Sequence, residues 1–175
     1  MNFKKINEEV YLATTDIISL KLNDLDLLKQ NISACPNHRI RMCAHQTKND
    51  TLHEMLIALT KKSYVRPHKH LNKSESFHMI EGRLDVVLFD DAGNIVNVIE
   101  MSDPSSGKHF FYRLSTSCFH TLVLHTDLVV FHETTNGPFV IEDTLFAPWA
   151  PLAGNRLEEE KFMEALANKI EEFNQ

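Results

Sequence analysis

Between Ile40 and Glu133 apolar and polar positions alternate in short runs, each closed by turn residues, while both ends of the chain carry apolar residues at helical spacing. This pattern predicts an all-β middle with a helix on either side. The runs are Ile40 to His45, Met55 to Leu59, Tyr64 to His70, Glu75 to Ile80, Leu84 to Phe89, Ile95 to Glu100, Phe110 to Leu114, His120 to Leu124 and Leu128 to Glu133. Asp90-Asp91-Ala92-Gly93-Asn94 and Glu81-Gly82 supply residues that tolerate positive φ, so neighbouring strands should run antiparallel and close, or nearly close, a barrel.

The N-terminal helix is expected from about Asp24 to Ala34, with Asn23 as N-cap, Pro36 at the exit and Leu25, Leu28 and Ile32 as its buried stripe. The C-terminal helix opens at Asn155, with Glu158 completing a capping-box-like pair, and aligns Leu157, Phe162, Leu166, Ile170 and Phe173. One compact domain is expected, made of an N-terminal helical or extended segment (1–38), a β-barrel (39–151) and a C-terminal helix (152–175).

Composition narrows the class. A chain of 175 residues, 43% hydrophobic and 24% charged, is long enough to bury about 70% of its unfolded surface without cross-links. Cys35, Cys43 and Cys118 are odd in number and scattered, which argues against a disulfide framework and for a reducing, cytoplasmic setting. Asn7, Glu8 and Glu9 fall where a secretory leader needs apolar residues, and no apolar run approaches the roughly 20 residues of a membrane span. With a net charge of −6 the overall field repels phosphate backbones, so neither nucleic acid nor membrane is expected as a partner, and a small molecule is.

The unusual count is 10 histidines. In Arg66-Pro67-His68-Lys69-His70-Leu71-Asn72-Lys73-Ser74-Glu75, two imidazoles two residues apart on a strand share one face and can chelate. Chance alone gives about 0.6 such pairs in a chain this rich in histidine, but adding Glu75 and Gly82 at fixed distances lowers the expectation to about two in a thousand. His120, opening a later strand, is the best fourth ligand. Three imidazoles and one carboxylate would hold one divalent transition metal ion (Fe, Mn, Ni, Co or Zn) and leave positions open for substrate, water or dioxygen.

The pattern His68-x-His70-x4-Glu75-x6-Gly82 resembles the first motif of the cupin superfamily; Lys62 stands at that motif's upstream glycine, and of the second motif His120 remains, with Ser115, Ser117 and Leu124 at the Pro, Gly and Asn positions. A closer resemblance spans Arg39 to Pro151. Tyr64-Val65-Arg66-Pro67-His68-Lys69-His70, Lys73-Ser74-Glu75-Ser76-Phe77-His78, Phe131-His132-Glu133-Thr134-Thr135-Asn136-Gly137-Pro138-Phe139 and Phe146-Ala147-Pro148-Trp149-Ala150-Pro151 are similar to the WbuC family of cupin-fold metalloproteins. The resemblance implies a jelly-roll-like double-stranded β-helix barrel, a bound metal, a homodimer and a link to bacterial surface-polysaccharide or O-antigen biosynthesis, with a sugar or sugar nucleotide as ligand.

Other residues are assigned by strand parity. Arg66 shares the parity of His68 and His70 and would point to the metal side if Pro67 leaves the strand unbroken. Arg39, Arg41, Cys43 and His45 form one chemically equipped face of their strand, opposite Ile40, Met42 and Ala44, and either face could be inward. Arg39, Arg41 and Arg66 are therefore candidate binders of a substrate anion. His132 and Glu133 face opposite sides, and His132 is the candidate acid or base. His78 should point away from the metal; His38, His53, His109 and His125 are read as surface residues and Lys73 as solvated. The segments Thr134 to Phe139 and Phe146 to Pro151 could shape a pocket rim, with Trp149 packing where the chain leaves the barrel. Two functional classes remain open: a metal-dependent enzyme that isomerises, epimerises or oxygenates a sugar or nucleotide sugar, and a ligand-sensing or structural metalloprotein without turnover.

Overall fold

The computed structural model describes residues 2–175. Two sheets face each other. The larger joins β1 (Phe3–Lys5), β2 (Val10–Ala13), β3 (Arg39–Cys43), β4 (Leu52–Thr60), β11 (Leu128–Asn136), β6 (Glu75–Glu81) and β9 (Phe111–Leu114), in that spatial order. The smaller joins β12 (Thr144–Phe146), β5 (His68–His70), β10 (Phe119–Leu124), β7 (Arg83–Phe89) and β8 (Ile95–Ser102). Neighbours are antiparallel except β2 and β3, which run parallel. This is the mainly β, two-sheet barrel with an N-terminal and a C-terminal helix that the sequence predicts.

Residues that alternate along a strand meet different surroundings on its two faces. Met55, Ile57, Leu59, Phe77, Met79, Leu84, Val86, Met101 and Phe131 point between the sheets and form the central core. Ile40, Met42, Ala58 and Val130 point out of the larger sheet, where Leu25, Leu28 and Ile32 cover them. The covering element is a composite rather than the single helix expected from Asp24: 3-10 turns at Leu22–Leu25 and Ile32–Ala34 flank α1 (Asp26–Asn31). Its start is closed by Asp24, whose carboxylate accepts the Lys21 amide at 2.5 Å, so Asn23 is not the cap.

On the outside of the smaller sheet, α2 (Arg156–Phe173) lays Leu166 and Ile170 against Val87, Phe89, Phe119 and Val123. Trp149 fills the remaining gap, 5.0 Å from Phe89 and 6.3 Å from Phe162 between ring centroids. Asn155 precedes the helix without a side-chain cap bond, and Glu159 rather than Glu158 reaches back, accepting the Gly154 amide at 2.6 Å. Leu157 and Phe173, expected in the stripe, lie in the first and last turns of the helix and are exposed.

Three strands exceed the nine expected: β1, β2 and β12. The first two are built from the segment before Arg39, and β2 finds its place through the non-local pairs Val10↔Arg41, Tyr11↔Met42 and Leu12↔Cys43. The predicted Glu81-Gly82 turn is present, with Gly82 at φ 84°, and a Cβ there would strike the Leu128 carbonyl oxygen. No described helix is long and apolar enough to cross a membrane.

Candidate metal centre and cavity

Strand pairing places the histidines. β5 meets β10 at His68↔His120, so those side chains lie on one face of the smaller sheet, and His70 follows two residues along from His68. Their ligating nitrogens all lie within 4.8 Å of one another. Glu75 arrives from the larger sheet, with Oε1 3.0 Å from His120 Nε2 and Oε2 3.5 Å from His70 Nε2. The cluster therefore bridges the two sheets.

Each imidazole is oriented through its other nitrogen. His68 Nδ1 donates to the Arg66 carbonyl at 2.9 Å, His120 Nδ1 donates to the Cys118 carbonyl at 3.0 Å, and His70 Nδ1 hydrogen-bonds the Thr144 hydroxyl at 3.2 Å. A carbonyl can only accept, so for His68 and His120 this fixes Nδ1–H and leaves Nε2 as the inward-directed atom that can serve as a ligand. Burial, and then the neighbouring His120, lower the His68 pKa to about 3. Burial alone would raise the Glu75 carboxyl, but the histidines around it, His120 first, hold it below the usual carboxylate range. Burial opposes charge on His120, and the Glu75 carboxylate outweighs it, raising that imidazole.

Glu75 Oε1 is buried, and the polar atom within its reach is His120 Nε2 at 3.0 Å, so without an ion the carboxylate depends on a proton held by that imidazole. A buried anionic oxygen in that setting is satisfied by a cation. Three neutral imidazoles and one carboxylate suit a divalent transition ion, so the donor set fits.

The centre opens into a cavity of about 430 Å³ between the sheets. Arg39, Arg41, Cys43 and His45 line it, so the equipped face of β3 is the inward one, while Ile40 and Met42 lie beneath the N-terminal helix. Both faces of this strand are covered, which is why parity left the choice open. Arg39 is also 3.5 Å from Glu9, whereas Arg41 has, among the described residues, neither hydrogen bond nor ion pair for its guanidinium. Burial pushes the Cys43 thiol up to about 11, which makes it an inert wall of the cavity.

Two expected site residues lie elsewhere. Arg66 turns away: β5 begins only at His68, after Pro67, and the Arg66 guanidinium donates to the Ala147 carbonyl at 3.1 Å and sits 4.9 Å from the centre of the Phe146 ring. His132 faces the outside, 3.9 Å from Glu54. Its neighbour Glu133 lines the cavity instead, and burial, then the nearby Glu75, push its carboxyl up to about 7. Phe131, Glu133 and Thr135 share the inward parity, but Val130 is equally apolar on the other face, so the alternation alone did not reveal it.

Two residues read as solvated are also found at the cavity. His53 is only 5% exposed and stacks on His45 at 3.9 Å between centroids; burial lowers the pKa of both. Lys73 is 12% exposed, donates to the Pro138 carbonyl at 2.9 Å and lies 3.3 Å from Asp143. The expected rim is half right: Thr135, Asn136 and Phe139 line the mouth, and the Phe146 to Pro151 segment does not. His78 points away from the centre, next to Phe110.

Barrel and centre together fit a metal-binding cupin. Residues 20–101 match the family model described as a domain of unknown function, DUF6016, which covers less than half of the chain. No curated protein matches. Among solved structures the chain is similar to a structural-genomics protein of Shewanella oneidensis (10% identity, TM-score 0.48, 59% of this chain and 66% of that one). It is also similar to the oxalate decarboxylase of Bacillus subtilis (17%, 0.45, 56% and 24%) and to the cupin domain of Schizosaccharomyces pombe Cnp3 (10%, 0.42, 56% and 64%). The chain thus spans about a quarter of the decarboxylase and just under two thirds of the other two.

Proposed function

We propose that this protein is a metal-dependent cupin enzyme that holds one divalent transition ion through His68, His70, Glu75 and His120 and takes a small anionic or sugar ligand into the adjoining cavity. The buried Glu75 carboxylate among three oriented imidazoles carries the reading. When bound, the ion would act as a Lewis acid on a ligand oxygen. Arg41 would steady a negative group, and Glu133, near neutrality on the same wall, would accept or donate a proton at its carboxylate. This in-cavity carboxylate favours turnover over a purely structural ion. The similarity to the WbuC family supports a cytoplasmic place in bacterial surface-polysaccharide synthesis, with a homodimer as the working unit.

Elemental mass spectrometry of protein purified without an affinity tag tests the centre. About one equivalent of a transition metal is expected in the wild type and none in His68→Ala/His70→Ala. Absence from both proteins after reconstitution would overturn the proposal.

A further inference from the structure

The walls of the cavity differ in chemistry. Polar groups gather at the metal centre and at the mouth, where His45, His53, Lys73 and Asn136 stand. The wall built by β2, β3 and β4 presents Val10, Leu12, Met55, Ile57 and Leu59. Set into this wall is Arg41, flanked in register by Val10 on one side and Ile57 on the other. Its guanidinium has no partner within the described chain, unlike Arg39 with Glu9 and Lys73 with Asp143.

A guanidinium that makes neither hydrogen bond nor ion pair, beside an apolar wall and with the largely neutral Glu133 as the acid its charge reaches, is an unmet demand for one anionic group. The apolar side chains of that wall, Val10, Leu12, Met55, Ile57 and Leu59, offer nothing to hydroxyls, and each sugar hydroxyl buried against them without a partner would cost about tenfold in affinity or more. Methylene or aromatic carbons meet no such penalty. We infer that the cavity takes an organic acid with an aliphatic or aromatic body, its carboxylate on Arg41 and its carbon chain along the Val10, Ile57 and Leu59 wall. This deepens the proposed function, resting on the same cavity, and assigns its ligand to the carboxylic acids rather than to the sugar nucleotides.

Calorimetric titration of protein of measured metal content tests it with butyrate, hexanoate and octanoate, with hexanamide as neutral control, and with glucose 6-phosphate and UDP-glucose. Each added methylene should tighten binding about fourfold until the wall is covered. Arg41→Gln should weaken hexanoate at least tenfold, Arg41→Lys should restore part of the loss, and hexanamide should bind no better to wild type than to Arg41→Gln. Failure of the acids to bind, no dependence on chain length, or tight binding of UDP-glucose alone would overturn the inference. So would acid binding that ignores Arg41→Gln but vanishes in His68→Ala/His70→Ala, since that would put the carboxylate on the ion. Acid binding that depends on Arg41 in protein that never takes up metal leaves the inference standing and removes the metal centre; a full metal complement without acid binding does the reverse.

Discussion

At the scale of single residues, the centre depends on groups that do not touch it. The Thr144 hydroxyl orients His70, and losing such a partner weakens metal binding by about 10- to 100-fold. Thr144→Val should therefore raise the dissociation constant by that factor in a competition with a chromophoric chelator, with the circular dichroism spectrum unchanged. Gly137 is held as tightly. A Cβ there would strike the Asp50 carbonyl oxygen and come 2.8 Å from His53, so Gly137→Ala should lower unfolding free energy by about 1–3 kcal/mol in urea. The His68, His70 and Glu75 spacing was legible because one short connection, Leu71 to Ser74, carries the chain from β5 in one sheet to β6 in the other and fixes it. Thr144, Glu133 and His53 were not, because each reaches the cavity through pairings between strands remote in sequence, such as Thr144↔His70 and Thr135↔His53. Arg66 lies elsewhere because the strand begins only after Pro67, so the unbroken strand on which its parity reading depended is not formed.

At the scale of elements, the two helices act as covers over opposite faces of the barrel. Leu28 is fully buried under the larger sheet, and Leu166 plays the same part at the smaller one. Leu28→Ala and Leu166→Ala should each cost about 2–5 kcal/mol of unfolding free energy. Only the second should also shift the emission of Trp149, the single tryptophan, because Leu166 and Trp149 share one cluster and Leu28 lies in another. The covering stripes were readable from helical spacing in both cases. The ends of the α2 stripe were not, since helical spacing does not tell whether a terminal turn has a partner beneath it. β1 and β12, three residues each, are too short to show a period, and a parallel partner for β2 leaves no hairpin signal.

At the scale of the whole molecule, buried titratable groups in the cavity pull stability in opposite directions with pH. Glu133 sits at about 7 in the folded chain against an ordinary 4.5. Between those values the folded state keeps a proton that the unfolded state has released, so its contribution is full below pH 4.5 and is lost as pH rises through 7. His45 and His53 are lowered instead; their contribution is full above 6.5 and is lost as pH falls below it. In metal-free protein, Glu133→Gln should make the urea midpoint rise more steeply with pH between 4.5 and 7 than in the wild type, because it removes the opposing contribution and leaves that of the histidines in place. The centre also bears on how the barrel holds together in time. β5 is three residues long, two of them histidines of the cluster, and it meets β10 at a single register pair, while β12 is attached to the sheet only through β5. Release of an ion and detachment of this edge thus become one event. Ion loss to excess chelator should reach a ceiling rate that more chelator cannot raise, and that ceiling should equal the opening rate read from amide exchange at Lys69 and Leu145, so that the barrel edge itself is the clock for the ion's residence.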